Sequence, residues 1–303
     1  MRNLKAMFRE TMNAVYSGRF GPVGSEKPFS FDNEQHSTAR YFPAGEVVEL
    51  VRHPDLQLPY SLGGRCQVIV CNADSLAGAE MADTLDSSPS KDKKPPLVLN
   101  FANPHEPGGG VTRGAVAQEE DLCRRTTLYA SLISSGASGF YDDNKRCGTN
   151  LFTHGMILSP YVEVFRTADG GWMEEPLEVA VLTCPAPYVP GLGDIVRDEL
   201  HAACKTRVKG MPMVAAANGY KSLVLGAWGC GVFGNDPNMM ARAFREALGE
   251  VHGGVDGDPC AGPGLDSMFT CIVFAVLDRS RAKHNLHAFM EALGDINNTG
   301  DDA

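Results

Sequence analysis

The chain has 303 residues, 43% of them hydrophobic and 21% charged, the balance of a globular protein that can bury a full core without disulfides or metal staples. Lysine and arginine number 27 against 37 acidic residues, a formal net charge of −10. That acidity excludes the broad basic face of a nucleic-acid binder, but it leaves room for an anionic ligand held by backbone amides in one local pocket.

The first segment places Leu4, Phe8, Thr11 and Val15 at helical spacing, which predicts an amphipathic helix packed on the body of the protein. No signal peptide is recognised here, and no run reaches the roughly 18 apolar residues of a membrane span. Residues 19–45, with scattered Gly, Pro and Phe, read as an irregular arm. Gln67 to Asn72 is a short buried strand, and Asp74-Ser75-Leu76 leads from it into an alanine-rich helix. Residues 87–96 form an exposed proline-rich loop before the apolar run Leu97 to Ala102. Leu122, Tyr129, Leu132 and Ile133 predict one helix with one buried stripe, with Arg124 and Arg125 flanking its acids or facing solvent.

Further strands are expected over Tyr161–Phe165 and Val179–Thr183, the second ended by Cys184-Pro185-Ala186-Pro187. A helix follows from about Asp194 to Arg207. Met240, Phe244, Leu248 and Val251 give a later helix its buried face. Residues 253–267 are a Gly/Pro-rich loop, Phe269–Leu277 a last strand, Ala282–Leu293 a last helix, and 297–303 an acidic tail. Strands alternate with helices throughout, which predicts an α/β fold with a sheet between helical layers. Nine cysteines form no CxxC pair and several sit in apolar runs, so they read as buried free thiols of a reducing compartment. The eight histidines show no metal-binding spacing; neither a metal nor a cofactor is expected.

Two stretches carry chemistry. In the first, Gly108, Gly109 and Gly110 end the apolar run and are followed, seven residues on, by Gln118-Glu119-Glu120 at the start of a helix. Three glycines let backbone N–H groups approach a ligand, and such a turn makes an anion-binding concavity. The triplet then brings two carboxylates beside it. A phosphate-bearing substrate next to paired acids points to cleavage of a bond near a phosphate, such as a glycosidic bond. The plainer reading is a turn followed by favourable charge at a helix N-terminus.

The second stretch, Ser222 to Pro237, reads strand, glycine-rich loop, helix, with Asp236 as N-cap and Pro237 at the first helical position. A glycine loop between a strand and a helix N-terminus is a phosphate-binding arrangement, although this one is neither GK[ST] nor GxGxxG. Phe233, planted among the glycines, is either a core anchor or a surface for a ribose.

Taken together and in this order, the two stretches resemble the bacterial-type poly(ADP-ribose) glycohydrolases of the macrodomain superfamily. The likeness includes Asn100-Phe101-Ala102-Asn103, the glycine triplet with its Gln-Glu-Glu, Leu122 to Arg125, Ser159-Pro160, Phe165-Arg166, the GAWGCGVFGND loop and Val273-Phe274-Ala275, and runs from about Leu4 to Leu293. It implies a macrodomain-like mixed sheet sandwiched between helices, with an N-terminal helical extension and arm over 1–60, a core over 61–293 and a tail over 294–303. It implies hydrolysis of the ribose–ribose O-glycosidic bonds of poly(ADP-ribose), with ADP-ribose released.

By the same resemblance Glu120 would be the catalytic acid and Glu119 would orient the ribose hydroxyls. Asn103 would touch the distal ribose. Gly108, Gly109, Gly110 and Val111 would wrap that ribose and the diphosphate, with Gln118 counted among the binding residues. Gly229, Cys230, Gly231, Val232, Phe233, Gly234 and Asn235 would close over the diphosphate, and Asp74 stands at the adenine-binding position. The expected partners are poly(ADP-ribose) or ADP-ribosylated proteins, with no direct nucleic-acid binding and no membrane, for a monomer in the cytoplasm or nucleocytoplasm. An ADP-ribose reader without turnover, and a hydrolase of another ADP-ribosyl bond, are the alternatives.

Overall fold

A computed structural model describes residues 3–52, 66–86, 93–193, 197–249 and 268–294. Along the chain come α1 (Leu4–Ser17), β1 (Arg19–Phe20), β2 (Lys27–Pro28), α2 (Asn33–His36), β3 (Arg40–Phe42) and α3 (Ala44–Arg52). Next are β4 (Gln67–Cys71), α4 (Ser75–Leu85), β5 (Leu97–Phe101), α5 (Gln118–Arg125), α6 (Leu128–Leu132) and α7 (Ser138–Arg146). The rest is β6 (Met156–Arg166), β7 (Trp172–Cys184), α8 (Arg197–Ala217), β8 (Ser222–Leu225), α9 (Pro237–Gly249), β9 (Cys271–Ala275) and α10 (His284–Leu293). Seven strands form a mixed sheet in the order β3-β6-β7-β5-β8-β9-β4, so the α/β expectation holds. No helix among the described residues is long and apolar enough to cross a membrane.

The chain divides into two compact units. The first comprises Met1–Pro43, Asn100–Gly148 and Gly155–Pro185. Its strands β3, β6 and β7 pair antiparallel. Helix α1 buries Phe8, Thr11, Met12, Ala14 and Val15, the face its spacing predicts, and Asn3 caps it by accepting from the Ala6 amide at 3.1 Å. The arm after it is more ordered than its composition suggests. Phe20, Phe29 and Phe165 form one apolar cluster with Trp172 against it. Glu163, on β6, accepts from the Ser30 and Phe31 amides at 2.9 and 3.2 Å and pairs with His36 Nε2 at 2.7 Å. Both side chains of that pair are fully buried, so the arm is held by partners some 130 residues away, which no local pattern encodes.

Strand β6 is longer than Tyr161–Phe165 and runs through Pro160, where its register against β7 shifts between Ser159 and Val162. The single helix expected after the triplet is broken. Thr126 is extended and bridges Val164, the Thr127 amide donates to Glu163 O at 3.1 Å, and Ile133 is exposed rather than part of the stripe. Arg124 and Arg125 are buried instead of facing solvent. The first reaches the Ala115 carbonyl at 2.5 Å, and the second reaches Asp121 at 3.0 Å and the Arg166 carbonyl at 3.3 Å.

The second unit comprises Ala44–Leu99, Thr149–His154 and Ala186–Ala303. Strands β5, β8, β9 and β4 pair parallel through Leu97, Val98, Ser222–Leu225, Cys271–Ala275 and Gln67–Cys71. Apolar at most positions, β5, β8 and β9 suit burial on both faces. Helix α8 continues ten residues past Arg207 to Ala217, through Pro212. Met211, Met213, Val214, Ala215 and Ala216 are all buried there, and that burial offsets the proline's lost hydrogen bond. The expected loop at 253–267, the tail, Val251, Asp194 and residues 87–92 lie outside the described residues. Eight cysteines are described, none of them in a disulfide and five of them buried.

Candidate active site

The glycine triplet folds into a turn whose amides face the two acids. The Gly110 N–H donates to Glu120 Oε1 at 2.7 Å. The Asn103 N–H donates to Glu119 Oε2 at 2.7 Å, Asn100 Nδ2 donates to Glu119 Oε1 at 3.2 Å, and the Gly108 amide also bonds Glu119. The Gly109 and Val111 amides close the turn itself, on Glu106 O at 2.9 Å and Gly108 O at 3.1 Å. Only glycine fits at position 109. Its φ is +57°, and a Cβ would lie 2.6 Å from Glu120 Oε1 and 3.1 Å from Glu119 Oε2.

The acids are nearly sealed from solvent, with exposures of 3% for Glu119 and 7% for Glu120. Their surroundings differ. Both Glu119 oxygens are engaged, whereas Glu120 Oε2 is buried with no hydrogen-bond partner among the described residues. Burial pushes the Glu119 carboxyl from 4.5 up to about 8, against the pull of the Asn103 and Asn100 donors, and the Glu120 charge adds to the rise. At neutral pH Glu119 therefore holds its proton.

The first unit braces this turn from behind. Tyr129 packs under Gly108, where a Cβ would come within 2.8 Å of the ring, and Phe8 of α1 meets the Tyr129 ring edge-on with centroids 5.0 Å apart. Thr11 Oγ1 donates to Arg124 O at 2.6 Å and ties α1 to the end of α5. Gln118, first of the triplet, accepts from the Phe101 amide at 2.9 Å and so links α5 to β5. The side chain of Asn103 accepts from the His105 and Glu106 amides, both at 2.9 Å, and shapes the turn into the glycines. Val111 is fully buried.

Asn100 and Thr183 were assigned no role from sequence. Asn100 is completely buried and bonds Thr183 Oγ1 at 3.1 Å as well as Glu119. The available signal was a polar amide in the apolar run Leu97-Val98-Leu99-Asn100-Phe101, which needs a partner when buried.

In the second unit the Ser222–Pro237 stretch folds as strand, glycine loop and helix, as its sequence predicts. Asp236 caps α9 by accepting from the Met239 amide at 2.8 Å, and Pro237 opens the helix. The loop is pinned by Asn235, which is buried and donates from Nδ2 to Pro187 O at 2.8 Å and Gly229 O at 3.1 Å. Gly229 has φ +77°, and a Cβ there would be 2.6 Å from Asn235 Nδ2 and 2.7 Å from Ala186 Cβ. Gly231, Val232 and Gly234 are exposed at the loop crest, with Cys230 and Phe233 half-buried. Phe233 is flanked by Tyr188 and Phe152, with ring centroids 5.6 and 6.4 Å away. Asp74 is the N-cap of α4, accepting from the Leu76 and Ala77 amides at 3.0 and 2.9 Å.

The mixed seven-stranded sheet flanked by helices is a macrodomain-like fold, and its glycine turn clasps two buried glutamates. Residues 10–167, which hold the triglycine and both acids, match the model of the microbial-type PARG catalytic domain. The chain belongs to the microbial-type poly(ADP-ribose) glycohydrolase family, and it is a glycohydrolase.

Among solved structures it resembles poly(ADP-ribose) glycohydrolase from Thermomonospora curvata at 33% identity, over 96% of this chain and 99% of that one, with a TM-score of 0.80. The same enzyme bound to the inhibitor ADP-HPD matches at 33% identity over 95% and 98%, TM-score 0.77. The Deinococcus radiodurans enzyme in complex with ADP-ribose matches at 31% identity over 87% and 96%, TM-score 0.72. No curated protein sequence gives a significant match.

Proposed function

We propose that the protein hydrolyses the ribose–ribose O-glycosidic bonds of poly(ADP-ribose) and releases ADP-ribose, with Glu120 as the proton donor. The observation that carries the assignment is the partnerless buried Oε2 of Glu120, on a carboxyl whose other oxygen is held by the Gly110 amide. A buried carboxyl oxygen lacking a partner is satisfied when it shares a proton with a substrate oxygen.

In the first step Glu120, which takes up a proton when bound substrate excludes water and brings its diphosphate close, passes that proton from Oε2 to the leaving ribose oxygen as the C1–O bond breaks. An oxocarbenium-like centre forms, as in other glycoside hydrolyses. Water then adds to C1, and the Glu120 carboxylate takes the proton that water releases. Glu119, protonated at neutral pH and locked by three donors, is suited to orienting the ribose hydroxyls. In the second unit, the exposed crest of Gly231, Val232 and Gly234 is suited to the diphosphate, and Phe233 to a ribose face. The diphosphate adds negative charge to the reaction, which favours a cation-like transition state. Asp74 is read as the adenine-end residue, and the chain as one monomeric glycohydrolase with 1–60 as its extension.

The test is incubation with automodified poly(ADP-ribose), wild type beside Glu120→Gln, with detection of free ADP-ribose. Turnover by the wild type alone, with ADP-ribose binding retained by the variant in calorimetry, is the expected outcome. Normal turnover by Glu120→Gln would remove the assignment of the acid. Binding without turnover by the wild type would make the protein a reader.

A further inference from the structure

The segment 149–154 holds a feature that the reaction above does not use. Phe152 has φ +58°, in the left-handed region that a bulky residue rarely adopts. Strain of this kind persists only where the surroundings over-determine it, and it clusters at ligand-binding positions. The constraint here is Arg207 of α8, whose side chain is fully buried. Its Nη2 donates to the carbonyls of Leu151 and Phe152, the latter at 3.3 Å, and its Nε donates to His154 Nδ1 at 3.4 Å. Burial, with the Arg207 charge beside it, pushes the His154 imidazole down to about 4, so at working pH the ring is neutral and can accept that bond.

The same loop is tied at its other side. Asn150 O accepts from the Tyr188 amide at 2.8 Å, Asn150 Nδ2 donates to Gly191 O at 2.5 Å, and the Val189 amide donates to Phe233 O at 2.9 Å. Three half-buried rings result, with Phe152 and Tyr188 both packed near Phe233. A fully packed core would bury them. Phe233 thus keeps part of its surface exposed next to the exposed residues of the glycine loop.

We propose that Phe152, locked in its left-handed conformation by Arg207, is a positioning residue that sets the Phe233 ring for the substrate ribose. The proposal rests on the reading of Phe233 as a ribose-contacting ring. Phe152 acts through Phe233, so its effect falls on binding rather than on proton transfer. Asn suits the left-handed region, so Phe152→Asn keeps the backbone conformation and removes only the ring. Phe152→Tyr keeps the ring.

The experiment measures kcat and KM on automodified poly(ADP-ribose) and the Kd of ADP-ribose by calorimetry for wild type, Phe152→Asn, Phe152→Tyr and Phe233→Ala. Phe152→Asn is expected to raise KM and Kd about tenfold with kcat changed less than about twofold, the range of a lost aromatic contact. Phe152→Tyr is expected to restore both constants. Wild-type KM and Kd in Phe152→Asn, with Phe233→Ala impaired, would overturn this proposal alone. Wild-type constants in Phe233→Ala would instead remove the ribose reading on which it rests. A fall in kcat with KM unchanged would also overturn it, since that pattern belongs to the acids. Arg207→Lys, which keeps the charge but loses the planar fork, is expected to shift KM in the same direction as Phe152→Asn.

Discussion

Replacing Glu119 with Gln should change how the stability of the protein depends on pH. In the folded chain burial raises this carboxyl from 4.5 to about 8. Between those values the native state holds a proton that the unfolded chain has already lost. Stability therefore falls as pH rises through that window, and the contribution of the protonated group is fully present only below about pH 4.5. The full span is three to four pH units. At about 1.4 kcal/mol per unit this sets a ceiling near 5 kcal/mol, of which about 2 kcal/mol falls between pH 6 and 8.

Gln fills the same volume and does not titrate. The assay is urea unfolding of wild type and Glu119→Gln at pH 6, 7 and 8. Groups other than Glu120, which couples to Glu119, titrate alike in both proteins and cancel in the difference. The wild type should lose about 2 kcal/mol relative to the variant over that range. Parallel stability curves would refute the reasoning, because they would mean that Glu119 ionises in the fold as it does in the unfolded chain.

Gly109→Ala should cut turnover at least about a hundredfold while far-UV circular dichroism stays native, because the new methyl occupies the space of Glu120 Oε1 and displacing the proposed acid by an ångström is enough for such a loss. Gly229→Ala should weaken ADP-ribose binding about tenfold in calorimetry, since the Cβ pushes on Asn235 and with it the loop. His36→Ala should cost about 3 kcal/mol in chemical denaturation, because it strips Glu163 of a buried partner. The turnover of the molecules that remain folded should be unaffected, and a matching fall in their kcat would show that the pair reaches the site.

The acids and glycines of the site were legible because their chemistry is local. A glycine triplet separated by seven residues from Gln118-Glu119-Glu120, and Asp236-Pro237 at a helix start, depend on residues close together in the chain. Helix α1 was legible for the same reason, since Phe8, Thr11 and Val15 of the predicted period lie on its buried face. Sequence suggests amides aimed at an anion, and in the fold the Gly108 and Gly110 amides bond the two acids.

Tertiary structure alone decided the features that depend on distant partners. The break between α5 and α6 exists because Thr126 and Thr127 pair with Val164 and Glu163, and no propensity in Arg125-Thr126-Thr127-Leu128 competes with that. The order of the 19–45 arm comes from Glu163, and the seat of Asn100 from Thr183, 83 residues on. The proton on Glu119 likewise comes from burial, which no stretch of sequence shows by itself. Sequence determined which groups are present and how neighbours in the chain turn. Burial and long-range hydrogen bonds determined which of the two acids is locked and which keeps an oxygen available for chemistry.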